Sequence, residues 1–175
     1  MSEHESNDRL DRAIAQVADG VLDALGDIYD LMARHIYVTA YAVTANRADA
    51  EDALQDTMLQ IVRYARSYRA GSSPRAWILT LARHRAIDIV RRRRPTVPME
   101  DERLAALPDP QSGVEGEAVL SLLDALRTED RQLVILRLYD ELSYAEIAHV
   151  MGISVAAAEK RYQRALKRLR AAYLS

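Results

Sequence analysis

The sequence predicts an all-α fold, two small helical domains joined by a flexible acidic linker. Apolar residues recur at spacings of three and four, the stripe of amphipathic helices. No segment shows the sustained two-residue alternation, bounded by turn signals, that marks a strand. Residues 95–116, PTVPMEDERLAALPDPQSGVEG, hold four of the five prolines, two glycines and an acidic excess, a composition that resists regular structure. Structureless loops of that length are uncommon inside a compact domain. The chain therefore divides into an N-terminal segment (1–20), a helical domain (21–95), a linker (96–115) and a second helical domain (116–175).

The elements follow in order. Leu10, Ile14, Val17, Val21, Leu25, Ile28, Met32 and Ile36 form one helical stripe, which Asp19-Gly20 breaks in two. A second helix is expected from about Ala48 to Tyr68, with Ala50, Leu54, Ile61, Ala65 and Tyr68 turned inward. The sequence RAGSSP, Arg69 to Pro74, reads as a loop, and Pro74 suits the first turn of the helix that follows. On that helix Trp77, Ile78, Leu81, Ala82 and Ile89 share one side, at about 100° per residue. Arg83, Arg91 and Arg94 gather on the other, with Arg75 at the border.

Composition excludes several chemistries. The 175-residue chain has no cysteine, hence no disulfide, thiolate nucleophile or cysteine-bound metal. Its four histidines, His4, His35, His84 and His149, stand far apart, and no cofactor or metal site is expected. No apolar run approaches the ~18 residues of a membrane span, and the charged N-terminus is unlike a signal peptide. A cytoplasmic protein with no membrane insertion is expected.

The formal net charge of -2 hides a segregation. Residues 1–60 carry 4 basic and 12 acidic side chains, and residues 61–95 carry 10 and 1. Residues 96–130 carry 2 and 9, and residues 131–175 carry 8 and 4. Two separated basic blocks on predicted helices point to a polyanion held at two places.

The second basic block has a helix-turn-helix pattern. Ser143 and Glu146 form a capping box, Gly152 suits the tight turn, and Ser154 caps a longer helix. Ala148, Gly152 and Ala158 supply the small residues that let the two helices cross closely. With Ala158, Ala165, Leu166 and Leu169 inward, Glu159, Lys160, Gln163, Arg164 and Lys167 form an outer stripe able to reach base edges and phosphates in a major groove.

An acidic stripe lies earlier, where Asp49, Asp52 and Asp56 recur at three and four with Gln55 and Leu59 beside them. The preference of acids for a helix N-terminus accounts for Asp49 and Glu51. Asp56 lies too far along, and acids around an exposed leucine suit a protein partner. Two other function classes stay open on these residues: a helix-turn-helix regulator that binds DNA alone, and a metal-dependent hydrolase built on the carboxylates.

The segments ADAEDALQDTMLQIVRYARSY, SSPRAWILTLARHRAIDIVRRRR and LRTEDRQLVILRLYDELSYAEIAHVMGISVAAAEKRYQRALKRLR together resemble bacterial sigma factors of the extracytoplasmic-function group, over about residues 20–95 and 115–172. The resemblance implies a sigma2 helical bundle and a sigma4 helix-turn-helix, with no catalytic residues. It implies binding of core RNA polymerase through Asp52, Gln55, Asp56 and Leu59. Recognition and melting of the minus-ten promoter element is implied for the loop and basic helix, at Arg69, Ser72, Ser73, Arg75, Arg83, His84, Arg91 and Arg94. Minus-thirty-five recognition is implied for Arg137, Ser154, Glu159, Lys160, Gln163 and Arg164, beside Lys167. The acidic linker is expected to thread toward the RNA exit path, and an anti-sigma factor is an expected partner. Two departures stand out. AAAEKR replaces the family's common GTVKSR, placing Glu159 where a basic residue is usual, and His84 stands where the family often has asparagine.

Overall fold

The computed structural model describes residues 1–93, 121 and 123–174, so the expected linker at 96–115 and Arg94 lie outside the described residues. Among the described residues there is no strand.

Helix α1 (Glu3–Ala18) starts at a capping box between Ser2 and Glu5 and buries Leu10, Ala13, Ile14 and Val17. The expected break falls at Gly20, with φ of +90°, a conformation that costs glycine little. A 3-10 turn (Leu22–Ala24) leads into α2 (Leu25–Thr44). Val21 leaves the expected inward stripe and is 50% exposed, because it sits in the break rather than on a helix.

Asn46 caps α3 (Arg47–Tyr64) through the Asp49 amide. Its last turn tightens into a 3-10 turn (Ala65–Ser67), so the helix ends before the expected Tyr68. Ala50, Ala53 and Ile61 are fully buried on α3, whereas Leu54 and Tyr68 are only half-buried. Small side chains on this face let α3 lie close to α2 and α4. Pro74 begins α4 (Pro74–Arg93) as expected, and the Ser73 hydroxyl accepts from the Ala76 amide at 3.2 Å.

The C-terminal half comprises a 3-10 turn (Leu123–Ala125), α5 (Thr128–Val134) continuing as a π-helical turn (Ile135–Tyr139), α6 (Tyr144–Met151) and α7 (Val155–Tyr173). Ser143 and Glu146 form the expected capping box, and Gly152 ends α6 with φ of +66°. Ser154 caps α7 through the Ala157 amide at 3.0 Å. Ala158 and Ala165 are fully buried, while Leu166 and Leu169 reach only half-burial at the edge of the core. Ser143→Ala should lower stability by about 1 kcal/mol, because a free α6 amide loses its acceptor; chemical denaturation would measure it.

The two halves pack together. Helix α6 lies on α4, and α5 with its π-helical extension lies on α2. Buried residues of both halves form one continuous cluster.

Candidate nucleic-acid interface

Helix α7 carries an open, largely cationic surface. Glu159, Lys160, Gln163, Arg164 and Lys167 are exposed, and the first four line a shallow open depression with Ala156. Burial of Ala158, Tyr162 and Ala165 on the opposite side fixes this orientation. Ser154 is exposed at the helix start. Arg137 stands apart from the stripe: it donates to the Leu142 carbonyl at 2.9 Å and lies over the Tyr144 ring at 4.6 Å. Tyr144 meets Tyr162 edge-on, so these contacts tie the π-helical turn to the helix-turn-helix core.

The first basic block is less open than its helical wheel suggests. Arg69 and Ser72 are exposed in the loop, and His84 and Arg91 are exposed on α4. Arg83 departs from the expected exposed stripe. Its Nε donates to Gln132 Oε1 of α5 at 2.6 Å, and burial lowers its pKa, opposed by Glu129. Ser73 donates to the Glu146 carboxylate of α6, and the Arg75 Nε is buried without a hydrogen bond. Arg93 pairs with Asp49. Both long sides of α4 are covered, one by the N-terminal helices and the other by the C-terminal half.

The same pairing corrects the acidic stripe. Asp49 turns inward and is buried, leaving exposed Asp52, half-exposed Asp56 and exposed Gln55. Leu59 is 66% exposed, as is half of Tyr29 across on α2. Gln55, Leu59 and Tyr29 border a groove floored by Ala33, Tyr37, Leu54 and Met58. Arg34 and the paired Arg47 and Glu51 also line this groove. Beside it Asp52 and Asp56 form no ion pair among the described residues, a mix of apolar and charged groups that suits a protein partner.

Between the halves runs a polar seam that the sequence reading missed. Asp140 is buried and receives His35 Nδ1 at 2.7 Å and Thr39 Oγ1 at 3.0 Å. Burial pushes its carboxyl pKa up, and the bonds from His35 and Thr39 and the charge of Arg75 pull it back. Arg131 Nε donates to the Ala42 carbonyl at 3.0 Å. Histidine, threonine and aspartate this far apart in sequence give no local signal of pairing. Among the described residues no cluster of three or more histidine or acidic side chains could hold a metal ion, and no helix is long and apolar enough to cross a membrane.

Comparison with known proteins places both halves. Residues 28–96 match the model of Sigma-70 region 2, and residues 116–169 match Sigma-70, region 4. The chain thus has the two-region build of a sigma-70-type factor. It is 31% identical over 174 residues to the ECF RNA polymerase sigma factor SigK of Mycobacterium ulcerans (strain Agy99), covering 94% of this chain and 93% of the relative. It is 30% identical over 155 residues to ECF RNA polymerase sigma factor SigM of Bacillus subtilis (strain 168), covering 85% and 94%. Among solved structures, CnrH in complex with the cytosolic domain of CnrY superposes with a TM-score of 0.71 at 25% identity, over 93% of this chain and 96% of that one. The sigma factor RpoE in complex with the anti-sigma factor NepR from Bartonella quintana shares the fold at a TM-score of 0.71 and 23% identity, over 83% and 93%. The chain belongs to the extracytoplasmic-function RNA polymerase sigma factors. Members of this family are alternative sigma factors of transcription initiation and non-enzymatic transcription factors.

Proposed function

We propose that this sigma factor directs core RNA polymerase to promoters by reading the minus-thirty-five element as duplex and capturing and melting the minus-ten element. The observation that carries the reading is the open face of α7, where Glu159, Lys160, Gln163 and Arg164 emerge together from the second helix of a helix-turn-helix. Side chains of this length on such a helix reach base edges in the major groove. Residues 116–175 form the minus-thirty-five domain, with Ser154 at the head of the reader helix and Lys167 on phosphate, while Arg137 reaches DNA only by leaving the Leu142 carbonyl and the Tyr144 ring. Residues 21–95 form the polymerase-binding and minus-ten domain, and 96–115 connect the two. The clamp coiled coil of polymerase occupies the groove beside Asp52, Gln55, Asp56 and Leu59.

Minus-ten contact falls to the Arg69–Pro74 loop and to Arg75, His84, Arg91 and Arg94. Unstacking a base costs a few kcal/mol, offset by pocket and phosphate contacts. Ser73 and Arg83 belong to the same surface, yet in the packed arrangement they are bonded to Glu146 and Gln132. Promoter engagement therefore exchanges those two bonds for bonds to DNA. The complexes of CnrH with the cytosolic domain of CnrY and of the sigma factor RpoE with the anti-sigma factor NepR support a protein regulator of the anti-sigma kind, acting in the cytoplasm.

Two measurements test the reading. Permanganate should oxidise unpaired thymines of the minus-ten element only when promoter, core polymerase and this protein are all present; uniform protection in the full mixture, with polymerase bound, would refute melting. Glu159 cannot hold a phosphate but can accept from a cytosine N4. Glu159→Lys should therefore shift minus-thirty-five base preference at one position by about 1–3 kcal/mol, read by transcription from single-base promoter variants. Unchanged promoter choice would count against the assignment.

A further inference from the structure

Helix α1 precedes the segment matched to Sigma-70 region 2, which begins at residue 28, and none of the surfaces above uses it. It is nonetheless firmly fastened. Leu10 and Ile14 are completely buried, Arg9 pairs with Asp27 at 2.7 Å, and Arg66 donates to the Ala18 carbonyl at 3.3 Å.

From this anchored helix one side chain reaches the entrance of the Arg69–Pro74 loop. The Tyr68 hydroxyl donates to the Asp11 carboxylate and lies 3.1 Å from the Ser72 carbonyl oxygen. The Tyr68 ring packs on Trp77 in the first turn of α4, with centroids 5.0 Å apart. Tyr68 thus touches α1, the far limb of the loop and α4 at once. Within the loop, the Ser72 hydroxyl donates to the Arg69 carbonyl at 2.6 Å, and Gly71 takes a φ of +83°.

We propose that Asp11 is a positioning residue for minus-ten recognition: through Tyr68 it braces the Arg69–Pro74 loop in the shape that receives an unpaired promoter base. This rests on the loop assignment of the preceding section. A free loop loses conformational entropy when it closes on a base, and bracing it beforehand removes part of that cost from binding. A carboxylate is the stronger kind of acceptor for this purpose. Burial and, after it, the bond to Asp11 push the Tyr68 pKa up, so the phenol keeps the proton it donates.

The test uses the complete protein with bacterial core polymerase, transcribing a promoter library randomised separately over the minus-ten and minus-thirty-five elements. Asp11→Ala and Tyr68→Phe should each lower transcript yield about tenfold and flatten base preference in the minus-ten element. Minus-thirty-five preference and core affinity should stay at wild-type values. The double variant should be no worse than either single, because both remove one bond. Asp11→Asn retains an oxygen that accepts the tyrosine proton and should recover most of the loss.

Wild-type minus-ten preference in both Asp11→Ala and Tyr68→Phe would overturn the proposal, as would a parallel loss of core affinity and minus-thirty-five preference, the mark of a purely structural role. If Asp11→Ala fails to fold, Tyr68→Phe decides alone, since it keeps the ring against Trp77. A wild-type protein that selects no minus-ten sequence overturns the loop assignment and this proposal together. Selection by wild type and variants alike overturns only the role of Asp11.

Discussion

Asp52→Lys combined with Asp56→Lys is expected to weaken core polymerase binding by at least about a hundredfold and to abolish promoter-specific transcripts, while leaving the fold intact. The two carboxylates are one helical turn apart on α3, on the side that also carries exposed Leu59. Neither forms an ion pair among the described residues. Their replacement therefore costs the folded chain little, since exposed substitutions usually stay within about 0.5 kcal/mol. A partner whose basic side chains meet this face would instead confront two new cations, and like charges brought together at an interface cost several kcal/mol. Competition for core against labelled wild-type protein measures the loss, and unchanged thermal unfolding separates it from misfolding. A variant that binds core as wild type does would move the polymerase contact away from α3.

Asp140→Ala is expected to destabilise the packed arrangement by about 3 kcal/mol, the second large effect. Asp140 is completely enclosed between the halves and is reached by His35 and Thr39 of α2. Truncation leaves buried Thr39 without its acceptor and part-exposed His35 without its carboxylate, whereas an aspartate that merely decorated the surface would be lost without consequence. For a chain of this length the corresponding fall in unfolding temperature is about 6–12 °C. Fluorescence transfer between dyes on exposed Arg63 and exposed Arg170 should also report a wider separation of the halves. Transcription should survive, because on the proposed function promoter engagement gives up the seam contacts of Ser73 and Arg83 for DNA. An unchanged melting temperature and dye separation would show that the seam contributes nothing.

Local signals made most of the fold legible. The break at Gly20, the capping box at Ser143 and Glu146, Pro74 at the head of α4 and the turn at Gly152 each arise within a few residues of chain. The outward stripe of α7 was equally readable, because burial of Ala158 and Ala165 follows a single helical period. The basic face of α4 was only partly readable. A helical wheel assumes one covered side, and α4 has two, so Arg83 and Arg93 are spent on Gln132 and Asp49 rather than left open. Asp140 is separated from His35 by 105 residues, and Asp11 from Tyr68 by 57. Pairings across such distances are created by the packing of helices, and nothing in the local pattern of either partner foretells them.

On the proposed function, this chain confers promoter choice on RNA polymerase through α3 and α7. Run-off transcription by bacterial core polymerase on genomic fragments, with and without the protein, measures this. The expected result is discrete transcripts that require the protein and vanish with Asp52→Lys. Absence of any core binding, with tight sequence-specific DNA binding by the protein alone, would contradict it and make the chain a free-standing DNA-binding regulator.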